Sequence, residues 1–275
     1  MACYIGEDLD GCGIAENNAP EYKRTAETMD SRGTDSMSGS SVFTEDKILT
    51  FYHAGEGEVR APRWDYAQAI LNKNEADLRD FGLGFYTCLD AEYPLKLASA
   101  KGTLALNKYV ANLKDLRCIE FGLDLEWLLS VGFHRRDLNS RKWCHALRDR
   151  CRVWLSDCDV AIGVISNDKT YQAVEGFLDN TATDVAAIAM VNAANYGKQY
   201  VFKSQRACDR LREGFRNCVF YTPVQVEEYR DKFLSEKKEF DQKADSLRMD
   251  MMERGGGVFF ERIVLGGLFN GKVRF

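Results

Sequence analysis

The chain has 275 residues, 45% of them hydrophobic and 29% charged, and a formal net charge of −5 at pH 7. That composition supports a sizeable core under an ordinary solvated surface, and the length allows one domain or two. The acidic balance argues against a broad nucleic-acid surface, which needs clustered Lys and Arg to hold phosphates; no apolar run approaches the roughly 18 residues of a membrane span, and no basic start leads into an apolar stretch, so neither membrane insertion nor Sec-type export is expected.

Residues 1–45 are rich in Ser, Thr, Asp, Glu and Gly, culminating in SRGTDSMSGSS. Few of them can build a core, and the segment reads as disordered. Residues 46–222 read as one α+β domain. KILTFYH at 47–53 and GFYTCL at 84–89 pack β-branched and aromatic residues into short runs without helical periodicity, which predicts strands. DAEYPLKLASA at 90–100 predicts a short helix opened by an Asp cap, with Pro94 held to its first turn. Strands follow near 107–113 and 117–122, then helices at 124–131 and 140–152.

VAIGVIS at 160–166 has the apolar continuity of a central strand. Helices are expected at 169–179 and 183–195, a strand at 198–204, a helix at 205–213 and a strand at 215–221. From Val224 to Glu253 the chain is strongly charged and lacks Gly and Pro, which predicts one long helix. Its stripe of Val226, Tyr229, Phe233, Phe240 and Leu247 runs close to a seven-residue rhythm and is expected to pack back on the domain, with a partner-facing role as the alternative. The tail from Gly255 alternates apolar clusters with Gly and is read as able to add a strand to a sheet edge.

Nine cysteines are scattered along the chain without a Cys-x-x-Cys pair, as expected of reduced thiols in a cytoplasmic-type protein. Cys144, Cys151 and Cys158 recur every seven residues beside His145. On one helix, positions seven apart lie about 10 Å from each other, too far to share a zinc ion. They read as small core residues, and no metal is expected. Residues 134–152 are locally basic, with Arg135, Arg136, Arg141, Lys142, Arg148, Arg150 and Arg152. A solvated helix face is the ordinary meaning of such a run, and docking of an acidic partner is the alternative.

Two nucleotide motifs fail. Gly82-Leu-Gly84-Phe-Tyr-Thr87 leads into a strand rather than a helix, and Gly266 to Lys272 is followed by Val273 where a phosphate-binding loop needs Ser or Thr. Four other segments are more specific in combination: TFYHAG at 50–55, DFGLGFYT at 80–87, AIGVISNDKTY at 161–171 and GKQYVFKS at 197–204. Their order and spacing resemble a bacterial and fungal family of uncharacterised domains that is grouped with the ADP-ribosyltransferases. The likeness spans roughly residues 48–213.

The resemblance implies a split β-sheet with flanking helices and NAD bound as co-substrate between its halves. By that resemblance His53 would hydrogen-bond the adenosine ribose. The backbone at Ala54 and Gly55 would clamp the nicotinamide amide, although the family usually has Gly where this chain has Ala54. Tyr86, with Phe85 beside it, would stack on the nicotinamide ring. Gln199 stands where many transferases carry a catalytic Glu that orients the ribose and offsets positive charge as the glycosidic bond breaks. A Gln accepts the ribose hydroxyl but brings no charge, so another acid is needed. Asp168, beside Asn167 at the end of a strand, is the candidate; an N-cap role for Asp168 is the equal alternative.

The activity so implied is mono-ADP-ribosyl transfer. Arginine-directed members carry paired acids two residues apart, and here the upstream position is Gly197, which points to a Ser or Thr acceptor on a protein. By analogy, the flexible N-terminus suits a secreted effector or toxin delivered by a type III system into host cytosol, with threonine of ubiquitin as a model acceptor in virulence. A monomer is expected. NAD glycohydrolysis and a catalytically silent binding module are the competing readings.

Overall fold

The computed structural model describes residues 39–65, 79–135, 155, 157–166, 168–194 and 197–265. Eight strands form one sheet: β1 (Gly39–Val42), β2 (Ile48–Gly55), β3 (Phe85–Cys88), β4 (Ala105–Asn112), β5 (Arg117–Glu120), β6 (Val160–Val164), β7 (Lys198–Phe202) and β8 (Phe215–Phe220). Their order is β1-β5-β6-β7-β3-β2-β4-β8, with β5 and β6 parallel and every other neighbouring pair antiparallel. The sheet is nearly divided in its middle. β2 pairs with β4 along its whole length and β3 pairs fully with β7, yet β2 and β3 meet only at Tyr52 and Cys88. The sheet is therefore split between those two strands, and the fold is mixed α and β with flanking helices.

The helices are α1 (Glu92–Ala98), α2 (Leu125–Arg135), α3 (Asp168–Leu178), α4 (Asp184–Ala193), α5 (Gln205–Glu213), α6 (Pro223–Arg254) and α7 (Phe260–Leu265). Strand alternation sends Ala161 and Val201 into the larger core, which α2, α3, α4 and α7 cover with Trp127, Phe177, Met190 and Phe260. The residues between them, Val160, Ile162, Tyr200 and Phe202, face the opposite side and pack on Cys208 and Leu211 of α5. Trp127 donates its indole N–H to the Val164 carbonyl at 3.0 Å, which pins α2 to the end of β6. Among the described residues no helix is long and apolar enough to cross a membrane.

Among the described residues, the elements expected from the sequence are found within a few residues of their predicted ends, with three differences. Residues 39–42, which fall in the stretch read as disordered, form an edge strand whose backbone pairs antiparallel with β5, from Gly39 opposite Glu120 to Val42 opposite Arg117. The tail after Gly255, read as able to add a strand, forms a short helix at Phe260–Leu265, where Phe260 and Ile263, three apart, both fit the larger core. At α1 the capping residue is Ala91, while the Asp90 carboxylate accepts from the Glu92 N–H at 3.0 Å. The predicted helix at 140–152, with Cys144 and Cys151, lies outside the described residues. α6 packs back on the domain as its stripe implies: Val226 and Phe240 are buried and Leu247 packs on the larger core.

Candidate active site

The split in the sheet has a side chain across it. His53 Nδ1 lies 2.8 Å from the Tyr86 carbonyl oxygen, one step beyond the last backbone pairing of β2 with β3. A carbonyl only accepts, so Nδ1 carries the proton in that contact, and Nε2 is the nitrogen that can accept in the uncharged tautomer so defined. The imidazole leans on Phe85, with ring centroids 4.4 Å apart. Phe85 itself sits in the core beside Tyr109. Its place is thus underneath His53, and it supports the imidazole rather than lining the cleft, because β3 alternation turns Tyr86 and Phe85 to opposite faces.

His53, Ala54, Tyr86, Tyr93, Ile165 and Gln199 line one cleft of about 220 Å³, with Pro94 and Leu97 of α1 completing an apolar wall. A neighbouring cleft of about 480 Å³ shares Cys88, Tyr93 and Ile165 with it and is bounded on the far side by Lys198 and by Glu236 of α6. Sites for small organic ligands occupy about 300–1,000 Å³, a range that the larger of the two clefts reaches by itself. Gly55 closes β2 next to this space, where an added Cβ would come within 3.4 Å of His53 Nε2. Asn107 on β4 clasps the loop that follows: its side chain accepts from the Val59 N–H at 2.8 Å and donates to the Gly57 carbonyl at 3.0 Å.

Gln199 is 5% exposed on β7, opposite Cys88. Its Nε2 donates to Asp80 Oδ2 at 2.6 Å and lies 3.4 Å from the Val164 carbonyl. Asp80, also 5% exposed, accepts at the same oxygen from the Ser166 N–H at 2.8 Å, and its other oxygen is 3.5 Å from Arg135 Nη1. Arg135 further donates to the Ser166 carbonyl at 2.7 Å and lies over the Tyr171 ring at 4.4 Å. The carboxylate in contact with Gln199 is that of Asp80, a residue the sequence reading did not single out; Asp168 opens α3, and Asn167 lies outside the described residues. Arg135, counted in the basic run, turns inward to Asp80 with a side chain only 15% exposed, and residues 136–152 of that run lie outside the described residues.

The loop that presents Asp80 is held at several points. The Tyr86 hydroxyl donates to the Gly82 carbonyl at 2.7 Å and accepts from the Phe81 N–H at 3.1 Å, and Arg79 lies 4.7 Å from the Tyr86 ring. Lys203 donates to the Phe81 carbonyl and, at 2.7 Å, to that of Leu83. Gly82 adopts φ 67°, a left-handed conformation that favours glycine, against the His134 ring. Each of the four sequence segments thus delivers a part: His53 from the first, Asp80 and Tyr86 from the second, Ser166 from the third, Gln199 and Lys203 from the fourth.

Cys88 faces the cleft without the makings of a nucleophile. Burial, and then the negative charge of Asp90, push its thiol up to about 12. Above-normal thiol pKa means less thiolate at neutral pH, so Cys88 is expected to resist iodoacetamide in the folded protein at pH 7.5 and to label once the protein is unfolded. Stoichiometric labelling of folded protein at that pH, mapped by peptide mass spectrometry, would reveal an activated thiol instead. Cys118, Cys158 and Cys208 are likewise buried free thiols. Among the described residues, no three of His, Cys, Asp or Glu gather into a metal-binding group.

Comparison with known proteins adds a family. A model described as "Protein of unknown function (DUF3990)" matches residues 49–212, the stretch that carries all four segments. No curated protein matches the chain. Among solved structures, the crystal structure of the M. tuberculosis MbcT-MbcA toxin-antitoxin complex aligns with 68% of this chain and 91% of that chain, at 13% identity and a TM-score of 0.37.

Proposed function

The chain belongs to the DUF3990 family of proteins of unknown function, and from its site we propose that it is an NAD-dependent mono-ADP-ribosyltransferase acting on a hydroxyl acceptor of a protein. The observation that carries this reading is the meeting of His53 and Gln199 in one cleft at the split of the sheet. Both offer acceptors suited to sugar hydroxyls: Nε2 of a ring whose donor is spent on Tyr86, and Oε1 of an amide whose nitrogen is spent on Asp80. The apolar wall of Tyr93, Pro94, Leu97 and Ile165 suits a flat heteroaromatic ring.

NAD would supply the ADP-ribosyl group: its bond from the ribose anomeric carbon to nicotinamide breaks, the bonding pair leaves with nicotinamide, and the acceptor oxygen bonds to that carbon as its proton passes to water. His53 and Gln199 would fix the two riboses by accepting their hydroxyls. Tyr86, immobilised by its bonds to the 80–84 loop, would serve as a rigid border. Gly197, two residues before Gln199, leaves no second acid of the kind arginine-directed enzymes carry, which favours Ser or Thr as acceptor. Host ubiquitin belongs in the acceptor panel on the same analogy.

Purified protein incubated with NAD labelled in its adenylate part and with cell lysate is expected to release nicotinamide and to label a discrete protein band. Gln199→Ala is expected to cut both signals by about 10²–10³-fold, the usual cost of deleting one preorganised polar contact to a transition state. Release without labelling would favour NAD glycohydrolysis. Binding of NAD with neither signal would favour the silent module, a reading that the amide at position 199 keeps open.

A further inference from the structure

We propose that Asp80 is the positioning residue of this site: it locks the Gln199 amide in one orientation and supplies, from one residue behind, the negative charge that position 199 lacks. The proposal rests on the reading of Gln199 as the group that meets the ribose. A buried carboxylate is costly unless it is bonded on its own account. Asp80 is held by the Ser166 N–H and by Arg135, so its place is set by the fold and does not depend on Gln199.

The orientation follows from donor and acceptor counts. An ionised carboxylate only accepts, and so does the Val164 carbonyl; both lie on the same side of the Gln199 amide, at 2.6 and 3.4 Å from its nitrogen. Flipping the amide would set its oxygen against two acceptors. The NH₂ group is therefore fixed inward, and Oε1 is the atom left to the cleft that Gln199 lines. A hydrogen bond to a charged acceptor in a water-poor setting polarises the amide and adds electron density at that oxygen.

Asp80 also accounts for an amide at position 199. A carboxylate there would stand against the Asp80 carboxylate at hydrogen-bond distance, and two such groups cannot both stay ionised, so one would bind a proton. The Asp80–Gln199 pair brings one carboxylate to the site, shared with the Arg135 guanidinium on its far oxygen, with the amide as the part that touches substrate. Moving that charge forward tests the idea.

The experiment compares wild type with Asp80→Asn, Gln199→Glu and the double variant Asp80→Asn/Gln199→Glu. Nicotinamide release gives kcat and KM. In the two variants that carry Gln199→Glu, NMR titration of the introduced carboxyl carbon without NAD gives the pKa at position 199. Asn at position 80 keeps an oxygen for the Ser166 and Gln199 N–H groups while removing the charge. Asp80→Asn is expected to lower kcat about 100-fold with KM within about 3-fold, the pattern of a contribution made in the transition state. The double variant is expected to return to within about 10-fold of wild-type kcat. The introduced carboxyl is expected to titrate at least about one unit higher in Gln199→Glu than in the double variant, as like charges in contact require.

Equal titration of that carboxyl in both variants would overturn the proposal by showing that Asp80 and position 199 do not interact, whatever the protein does with NAD. Wild-type kcat in Asp80→Asn would overturn it as well. A loss in Asp80→Asn that the double variant fails to repair would assign Asp80 to holding Ser166 and Arg135 alone. Coupled titration without turnover in any of the four proteins would instead remove the transferase reading, and the charge role with it, while leaving the Asp80 contact standing.

Discussion

His53→Ala is expected to weaken NAD binding about 5- to 150-fold by isothermal titration calorimetry, because it removes a ligand contact and a structural bridge together. The ligand contact is one hydrogen bond, worth about 0.5–1.5 kcal/mol net. Its packing on Phe85 is an aromatic contact of similar size, about 0.5–1.5 kcal/mol. The bridge is the bond from Nδ1 to the Tyr86 carbonyl, made where β2 and β3 have ceased to pair. Alanine leaves that carbonyl to water and lets the two halves of the sheet part near the cleft. Global stability should fall by only about 1–2 kcal/mol, since the halves remain joined at Tyr52 and Cys88 and through the packed helices. NAD binding that survives His53→Ala unchanged would remove His53 from the site and the NAD cleft from the split.

Much of the frame is legible in the sequence because each strand next to the cleft announces itself. ILTFYH, VAIGV and QYVF are short runs of β-branched and aromatic residues bounded by turn residues, and they form β2, β6 and β7. The resemblance drawn from four segments over residues 48–213 coincides with the family match at 49–212. His53 and Gln199, far apart in sequence and paired by that resemblance, do line one cleft. What the chain does not disclose is which acid touches Gln199. Asp80 and Asp168 both follow or precede a strand by a few residues, and local pattern treats them alike.

The choice is made by tertiary contacts that no periodicity encodes. Lys203 reaches back across some 120 residues to the Phe81 and Leu83 carbonyls, and the Tyr86 hydroxyl folds the loop onto its own strand. Those bonds aim Asp80 at β7. Arg135 shows a related limit: charge density along a helix predicts exposure on average, yet one member of the run finds a buried partner. The N-terminal edge strand and the C-terminal helix leave no local signature, because one is held by backbone bonds and the other by two apolar side chains meeting a core made by distant segments.

Phe81→Ala is expected to carry the largest stability cost of any single change at the site, about 3–5 kcal/mol, the range for deleting a fully buried Phe side chain. Phe81 is 0% exposed and stacks on Phe121 with ring centroids 5.4 Å apart. Its ring also fills the space over Gly163, where an added Cβ would stand 2.7 Å from Cζ, so β6 carries a glycine to admit it. The cavity left by alanine cannot be closed cheaply, since the surrounding walls are the sheet and the Trp127 helix. Because Phe81 follows Asp80 directly, the same cavity slackens the carboxylate behind Gln199. Folded Phe81→Ala protein should therefore lose turnover in proportion greater than its loss of NAD affinity. Phe81→Leu, which refills most of the volume, is expected to recover more than half of the stability and most of the turnover. Urea unfolding followed by tryptophan fluorescence, with the slope m unchanged, measures the first effect. If Phe81→Ala unfolded at nearly the wild-type urea concentration, the loop that presents Asp80 would not be anchored in the core, and the rigidity attributed to Asp80 would have no source.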